Sequence, residues 1–233
     1  WTLAGRLRSP TPANDVTDAM VVGRPGDRRV YWTIGLSGLT ALAAQVVWTR
    51  LMSLLFGGTV YTFSLILAVF LLGLGIGSTV GAAVSRRVSD PRRWLGWTQL
   101  AIGAAMLAGG YLLMAVYPYQ PFDMAEMADP FHKYSWDISR AARVVLPSAI
   151  LWGASFPLAL AALARPGVDT GRLVGGVYAA NTLGAIARSL GIGLFFIAWL
   201  GSQHTQQAMV VVSVIAGLLM LWSASSSAPH ADG

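Results

Sequence analysis

Polar and charged side chains inside apolar stretches are the residues of this 233-residue chain that could do chemistry. Gln45 and Thr49 are four residues apart in one stretch, so they share a helix face, and Arg50 follows directly. Asn181 and Arg188 are about two helical turns apart in another stretch. Because lipid does not solvate a charge, an intramembrane arginine indicates a functional site by default. These residues therefore predict an intramembrane polar site or a contact with a partner subunit.

Arg188 is the most unusual of these residues because it lies near the middle of its stretch, while no Asp or Glu is expected inside any span. Its predicted partner is a backbone carbonyl, a polar side chain such as Asn181 or Gln45, water, an anionic ligand or another subunit. A structural interpretation stays open for Gln45, Thr49 and Arg50. Hydrogen bonds between helices and an arginine that reaches the membrane interface would explain them equally.

The residue types of common catalytic and cofactor sites are scarce. Cysteine is absent, and the three histidines fall in predicted loops or the tail with no metal-ligand spacing. The run from Gly73 to Gly77 looks like part of a dinucleotide fingerprint, but that motif needs a strand–turn–helix context that an apolar helix does not provide. We therefore expect no cofactor and no metal, and no catalytic activity of this chain on its own.

Composition places the elements that carry these residues in a membrane. Hydrophobic residues make up 55% of the chain, and its mean hydropathy is +0.59. Charged residues make up 11%, against roughly 25% in a soluble domain, which is too few to cover a water-facing surface. The formal net charge of +6 then indicates basic loops at one membrane face, and no nucleic-acid partner is expected.

Six apolar stretches are each long enough to cross a hydrocarbon core of about 30 Å, which takes about 20 helical residues. All six are predicted to be helices, because lipid leaves no partner for an open strand edge. Gly73, Gly77 and Gly81 recur every four residues, which predicts a face for close helix packing. The predicted all-α bundle occupies residues 30–222, with spans at about 31–52, 61–84, 94–117, 138–164, 173–200 and 205–222.

The arginines predict the orientation of this bundle. Eleven of the sixteen basic residues precede the first span or lie in the links between spans two and three and between spans four and five. These segments alternate along the chain, so they fall on one side, and the positive-inside rule places both termini in the cytoplasm. Residues 1–29 are predicted to form a basic cytoplasmic segment, and residues 223–233 a flexible tail.

Two regions carry motifs that are more specific than apolar sequence: Gln45–Ser64 followed by Phe70–Ser78, and Val177–Ala185. They resemble the membrane region of bacterial polytopic spermidine-synthase-like proteins, also described as fused major-facilitator/spermidine synthases. The resemblance covers most of residues 31–222 and implies a location in the bacterial cytoplasmic (inner) membrane. In that family the bundle is fused to a soluble aminopropyltransferase domain that binds decarboxylated S-adenosylmethionine. No motif of that domain occurs here, so the resemblance is limited to the membrane motifs. The residues that match those motifs are Gln45, Trp48, Thr49, Arg50, Tyr61, Asn181 and Gly184.

The resemblance adds Tyr61 to the candidate site. The chain departs from the family pattern at Arg188, where a small residue is usual. Three functions stay open. The chain is expected to be a non-catalytic accessory or scaffold subunit, in contact with the lipid bilayer and other membrane protein subunits. The first alternative is the membrane domain of a spermidine-synthase-like aminopropyltransferase whose catalytic domain is absent, and the second is a half-size transporter.

Overall fold

Six α-helices form most of the chain that the computed structural model describes, namely residues 25–120, 129–165, 169–191 and 197–225. A π turn at Leu112–Val116 and a 3-10 turn at Tyr117–Tyr119 extend the third helix. The predicted all-α architecture with six helices is confirmed. The helices are α1 (Pro25–Phe56), α2 (Val60–Ser85), α3 (Pro91–Tyr111), α4 (Pro130–Leu163), α5 (Thr170–Gly191) and α6 (Ile197–Ser225).

Five of these helices are long and apolar enough to cross a membrane, so the chain is a multi-pass membrane protein. The described part of α5 is not among the five, because its 22 residues include five glycines together with Arg172, Asn181 and Arg188. Part of the apolar run that would complete the predicted fifth span, residues 192–196, lies outside the described residues. The span at 173–200 therefore stays a prediction.

Local signals set the helix boundaries. The Asp90 carboxylate accepts hydrogen bonds from the backbone N–H of Arg92 and Arg93 at 3.1 and 3.2 Å, and a proline follows it in the first turn. The same Asp–Pro pair starts α4, where Asp129 accepts from the N–H of Phe131 at 3.1 Å. Such side-chain caps satisfy donors that the helix leaves free. Gly201, at φ +72°, interrupts α6 in the segment between the predicted fifth and sixth spans.

Three helix starts precede the sequence-based boundaries by six residues or more, among them that of α6, which begins at Ile197 rather than near residue 205. α1 begins at Pro25, inside the segment predicted to be a basic extension, and α4 begins at Pro130 rather than near residue 138. The earlier start of α4 places Asp137 within a helix that is long enough to span the membrane. At 34 residues α4 is about 51 Å long, more than the roughly 30 Å of the hydrocarbon core, so the expectation that no carboxylate lies within a span stays a prediction. Residues 1–24 of the predicted extension at 1–29, and residues 226–233 of the predicted tail at 223–233, lie outside the described residues.

α1 has a central position in the bundle and contacts α2, α4, α5 and α6. The other main contacts join α2 to α4, and α3 to α4 and α6. The core between them holds large side chains that are fully buried, including Trp48, Met52, Ile102 and Met106. A second apolar cluster, which includes Val30, Leu95 and Met220, fills the end of the bundle where α1 begins.

Small residues allow two of these helix pairs to approach closely. A Cβ atom added to Gly73 would lie 2.5 Å from the Ala149 Cβ, and one added to Gly81 would lie 2.6 Å from the Ala154 Cα, so the predicted glycine face of α2 contacts α4. The second pair is α1 and α5, where a Cβ on Gly184 would overlap the backbone of Gly35. Backbones this close leave no room for side chains between them.

The three basic segments meet at one end of the bundle. One oxygen of the Asp27 carboxylate lies 2.7 Å from the guanidinium of Arg92 and 2.7 Å from that of Arg165. This contact joins the start of α1, the start of α3 and the link after α4. We call this the arginine-bearing end, and the end that holds Phe56 and Pro130 the opposite end. Which end faces the cytoplasm stays a prediction from the charge distribution.

Candidate functional site

The polar residues predicted on α1 point in different directions. Trp48 is fully buried, its ring centre lies 5.9 Å from that of Trp152, and its indole N–H has no acceptor among the described residues. Gln45 and Thr49 are half-buried at the edge of the core, while Arg50 is exposed. The α1 group therefore combines one interior packing residue with an arginine that is directed outward.

Asn181 lies against α1, but at a different level from Gln45. A Cβ added to Gly38 would be 2.5 Å from the Asn181 side-chain oxygen, so this amide packs beside Gly38. Gly38 precedes Gln45 by seven residues, which is about 10 Å along the helix axis. Arg188 lies in α5, but its side chain is outside the described part of the chain.

Tyr61 lies at the opposite end, at the start of α2. Its ring meets that of Tyr134 edge to face, with centroids 4.6 Å apart. The Tyr61 hydroxyl is buried and has no hydrogen-bond partner among the described residues. The described candidates are thus spread along the bundle, since Tyr61 is near its end and Asn181 is beside Gly38 on α1. They are not brought together in one pocket.

A buried polar cluster that the sequence analysis missed joins α1, α3 and α4. The Gln99 amide donates to the Ser37 hydroxyl at 3.3 Å, and the Ser37 and Ser155 hydroxyls are 3.3 Å apart. The Trp152 indole N–H donates to the Thr40 hydroxyl at 3.3 Å. These hydrogen bonds tie three helices together, while the Gln99 side-chain oxygen has no partner among the described residues. Serine and threonine are too common in membrane helices for their positions alone to reveal it.

A second polar cluster lies at the opposite end, around Arg140. This side chain is 1% exposed, and its guanidinium donates to the Gln120 side-chain oxygen at 2.6 Å. It also lies over the rings of Tyr117 and Trp136, 5.2 Å from each centroid, in cation–π geometry. Asp137 is 4% exposed, and one of its oxygens has no hydrogen-bond partner within the described ranges.

The sequence held a signal for this second cluster. Asp129-Pro130 repeats the Asp-Pro pair of Asp90-Pro91, and recognising it as a helix start would have placed residues 130–140 on a helix. Asp137 and Arg140 are three residues apart, so they share a face of that helix. The predicted spans instead leave residues 118–137 in the link between the third and fourth spans.

The arginine-bearing end is the most strongly charged surface of the described bundle. Its acidic side chains are already engaged: Asp27 bonds two arginines, Asp90 caps α3, and Asp169 accepts from the Gly171 N–H at 2.9 Å. The remaining charge is positive and exposed, which suits phosphate or carboxylate groups. The exposed arginines outside the Asp27 contact are Arg28, Arg29, Arg86, Arg87, Arg93 and Arg172.

Metal ligation has no support in the described ranges. No group of three or more His, Asp or Glu side chains within them could hold a metal ion. His132 and His204 belong to α4 and α6, while His230 lies outside the described residues. The arrangement is thus suited to helix association and to binding anions at one end.

The chain is similar to the polyamine aminopropyltransferase of Oceanobacillus iheyensis, with 20% identity over 193 residues. The similarity covers 83% of this chain and 35% of that protein, so the chain spans about a third of its relative's length. No protein-family model matches the chain, and no solved structure matches it. The shared region is long enough to include most of the helical bundle.

Proposed function

We propose that this chain is a non-catalytic, membrane-embedded scaffold that holds an aminopropyltransferase-like enzyme at its arginine-bearing end. The observation that carries the proposal is the similarity to a polyamine aminopropyltransferase over 83% of the chain. The part shared with that relative corresponds here to a helical bundle. The chemistry would then be done by residues outside the bundle, and the bundle would fix the enzyme to the membrane.

The interior of the bundle supports a scaffold role. Apart from Arg140 and Gln99, the largest buried side chains are apolar or aromatic, and hydrogen bonds join Gln99 to Ser37 and Ser37 to Ser155. Such contacts hold helices in register, because each satisfies a polar group that lipid cannot solvate. They also favour a scaffold over the half-size transporter, which would need polar groups that face a substrate path.

The arginine-bearing end supports the proposed site of attachment. Met220 of α6 accepts a 3.3 Å hydrogen bond from the Thr33 hydroxyl, so the last part of α6 runs towards that end. A partner that carries acidic side chains would find six exposed arginines there. The positive-inside rule would place this surface in the cytoplasm, where a soluble transferase domain would work.

Two forms of the scaffold fit the proposal. The enzyme is either a separate subunit held by this chain or a further domain of the same polypeptide. The intact mass of the protein from its native membrane separates the two forms. A mass near 24.7 kDa with a stoichiometric partner indicates an accessory subunit, and a larger mass indicates a fused domain.

The test is to purify the protein from native membranes in mild detergent and to measure aminopropyl transfer to a polyamine in the same fraction. We expect the activity to follow this chain through two successive purification steps. The double variant Arg86→Gln/Arg87→Gln should release a separate enzyme subunit, while Lys133→Gln, which removes a charge at the opposite end, should retain it. Absence of transferase activity from the purified native protein would refute the proposal, and polyamine uptake by proteoliposomes would then favour the transporter.

A further inference from the structure

An open groove runs between α1 and α5 at the arginine-bearing end of the bundle. Its volume is about 450 Å³, and its walls are apolar. Trp32 is 67% exposed and Leu183 is 56% exposed, so the groove opens to the outside of the described bundle. Its principal lining side chains are Tyr31, Trp32, Leu36, Leu39, Leu183 and Ala187.

The floor of the groove is formed by small residues. Gly35 and Gly184 bring the two helix backbones into contact, and Ala180 and Ala187 add only methyl groups. Larger side chains flank this floor on both sides, so the groove has a flat base. A flexible hydrocarbon chain fits such a groove because the chain can follow the helix surface without leaving voids.

The depth of the groove matches one leaflet of a bilayer. On α1 it extends from Arg28 to Leu39, which is eleven residues and therefore about 16 Å along the axis. The hydrocarbon core is about 30 Å thick, so the groove ends close to the midplane. A transmembrane helix from a partner would continue beyond that level, whereas one acyl chain of a lipid would not.

A positive charge lies at the mouth of the groove. Arg28 lines the mouth and is exposed, and it forms no hydrogen bond or ion pair with the residues that the structure describes. The neighbouring Asp27 carboxylate is already engaged by Arg92 and Arg165. The mouth also has Tyr31 and Trp32, residue types that favour the headgroup region of a membrane.

We propose that this groove binds an anionic phospholipid, with one acyl chain along Gly35 and Gly184 and its phosphate at Arg28. The charge selects an anionic headgroup, since basic pockets between membrane helices favour such lipids. The groove length selects a single-leaflet ligand over a helix. Arg28 is also one of the six exposed arginines of the arginine-bearing end, but the groove and its lipid do not depend on the proposed enzyme attachment.

Native mass spectrometry of the purified protein, after exchange into detergent micelles that contain phosphatidylglycerol or phosphatidylcholine, tests the proposal. We expect one phosphatidylglycerol retained per chain, in preference to phosphatidylcholine. Arg28→Gln should weaken retention about five-fold, the scale of one arginine near a membrane surface. Its neighbour Arg29, which is exposed but does not line the groove, supplies the control Arg29→Gln with unchanged retention.

A second pair of variants tests the acyl-chain part of the site. Ala187→Phe fills the groove and should abolish retention, while Ala83→Phe, on an exposed position of α2, should leave it unchanged. Equal retention of the two lipids, or equal effects of Arg28→Gln and Arg29→Gln, would overturn the proposal. A change of oligomeric state in Ala187→Phe with lipid retention intact would show instead that this face joins two copies of the chain.

Discussion

Replacing Gly77 with alanine should destabilise the bundle far more than the same change at Gly75, two residues earlier on α2. A Cβ atom at position 77 would lie 2.6 Å from the carbonyl carbon and 2.8 Å from the Cα of Ile150, and closer still to its carbonyl oxygen. At position 75 no atom lies within 4 Å of the added carbon. The two variants add the same methyl group to the same helix, so their difference reports the contact with α4.

The size of the effect follows from these distances. Carbon atoms prefer separations of about 3.5–4.0 Å, so α2 and α4 must separate locally by roughly 1 Å. Because the obstacle is backbone, no rotation of a side chain relieves it. Inserting a methyl group into a tight contact costs about 1–3 kcal/mol, and a backbone clash belongs at the upper end of that range. For a chain of this length, about 3 kcal/mol corresponds to a fall in Tm of roughly 6–12 °C.

Thermal unfolding in detergent, followed by tryptophan fluorescence and by gel filtration of heated samples, measures the difference. Gly75→Ala should melt within about 2 °C of the parent or above it, because alanine favours the helix more than glycine does. A Gly77→Ala variant that melts together with Gly75→Ala would refute the conclusion that α2 and α4 touch through their backbones. Gly153→Ala is an independent check from the α4 side, since its added carbon would meet the backbone of Leu74.

Three further predictions concern other parts of the bundle. Asp27→Asn should lower the free energy of unfolding by about 1 kcal/mol, a small loss because both ion pairs of Asp27 are partly exposed. The Tm of the variant should also differ less between low and high ionic strength than the Tm of the parent. Gln99→Leu should leave Tm unchanged or raise it slightly, because the lost hydrogen bond is offset by removal of a buried oxygen that has no partner among the described residues; a large fall would contradict this. Because the chain has no native cysteine, Arg87→Cys and Lys133→Cys each introduce a single thiol, and a membrane-impermeant maleimide added to intact cells should react only with Lys133→Cys.

Most of the helical architecture could be predicted because its signals are local. Hydrophobic runs of about 20 residues predict membrane helices regardless of what they pack against. The glycine spacing of Gly73, Gly77 and Gly81 predicts a contact face in the same way. The start of α4 is predicted eight residues too late, although Asp129-Pro130 marks a helix start, and the start of α6 is predicted late by the same margin.

The candidate site was less predictable because it depends on which helices are neighbours. Gln45 and Asn181 look alike in sequence, as polar residues in apolar stretches. In the bundle Asn181 packs beside Gly38, about two turns from the level of Gln45. Neither residue's own segment contains information about that offset, since it depends on where α1 and α5 cross.

Hydropathy and charge act locally along the chain, so the sequence alone is enough to predict a helical membrane protein with its basic segments on one side. The folded bundle was needed to show that the glycine face of α2 meets α4, that Asp27 joins Arg92 to Arg165, and that α1 and α5 leave a groove beside Arg28. These features depend on contacts between residues distant in sequence. Such contacts are selected by the packing of whole helix surfaces, which no single segment specifies.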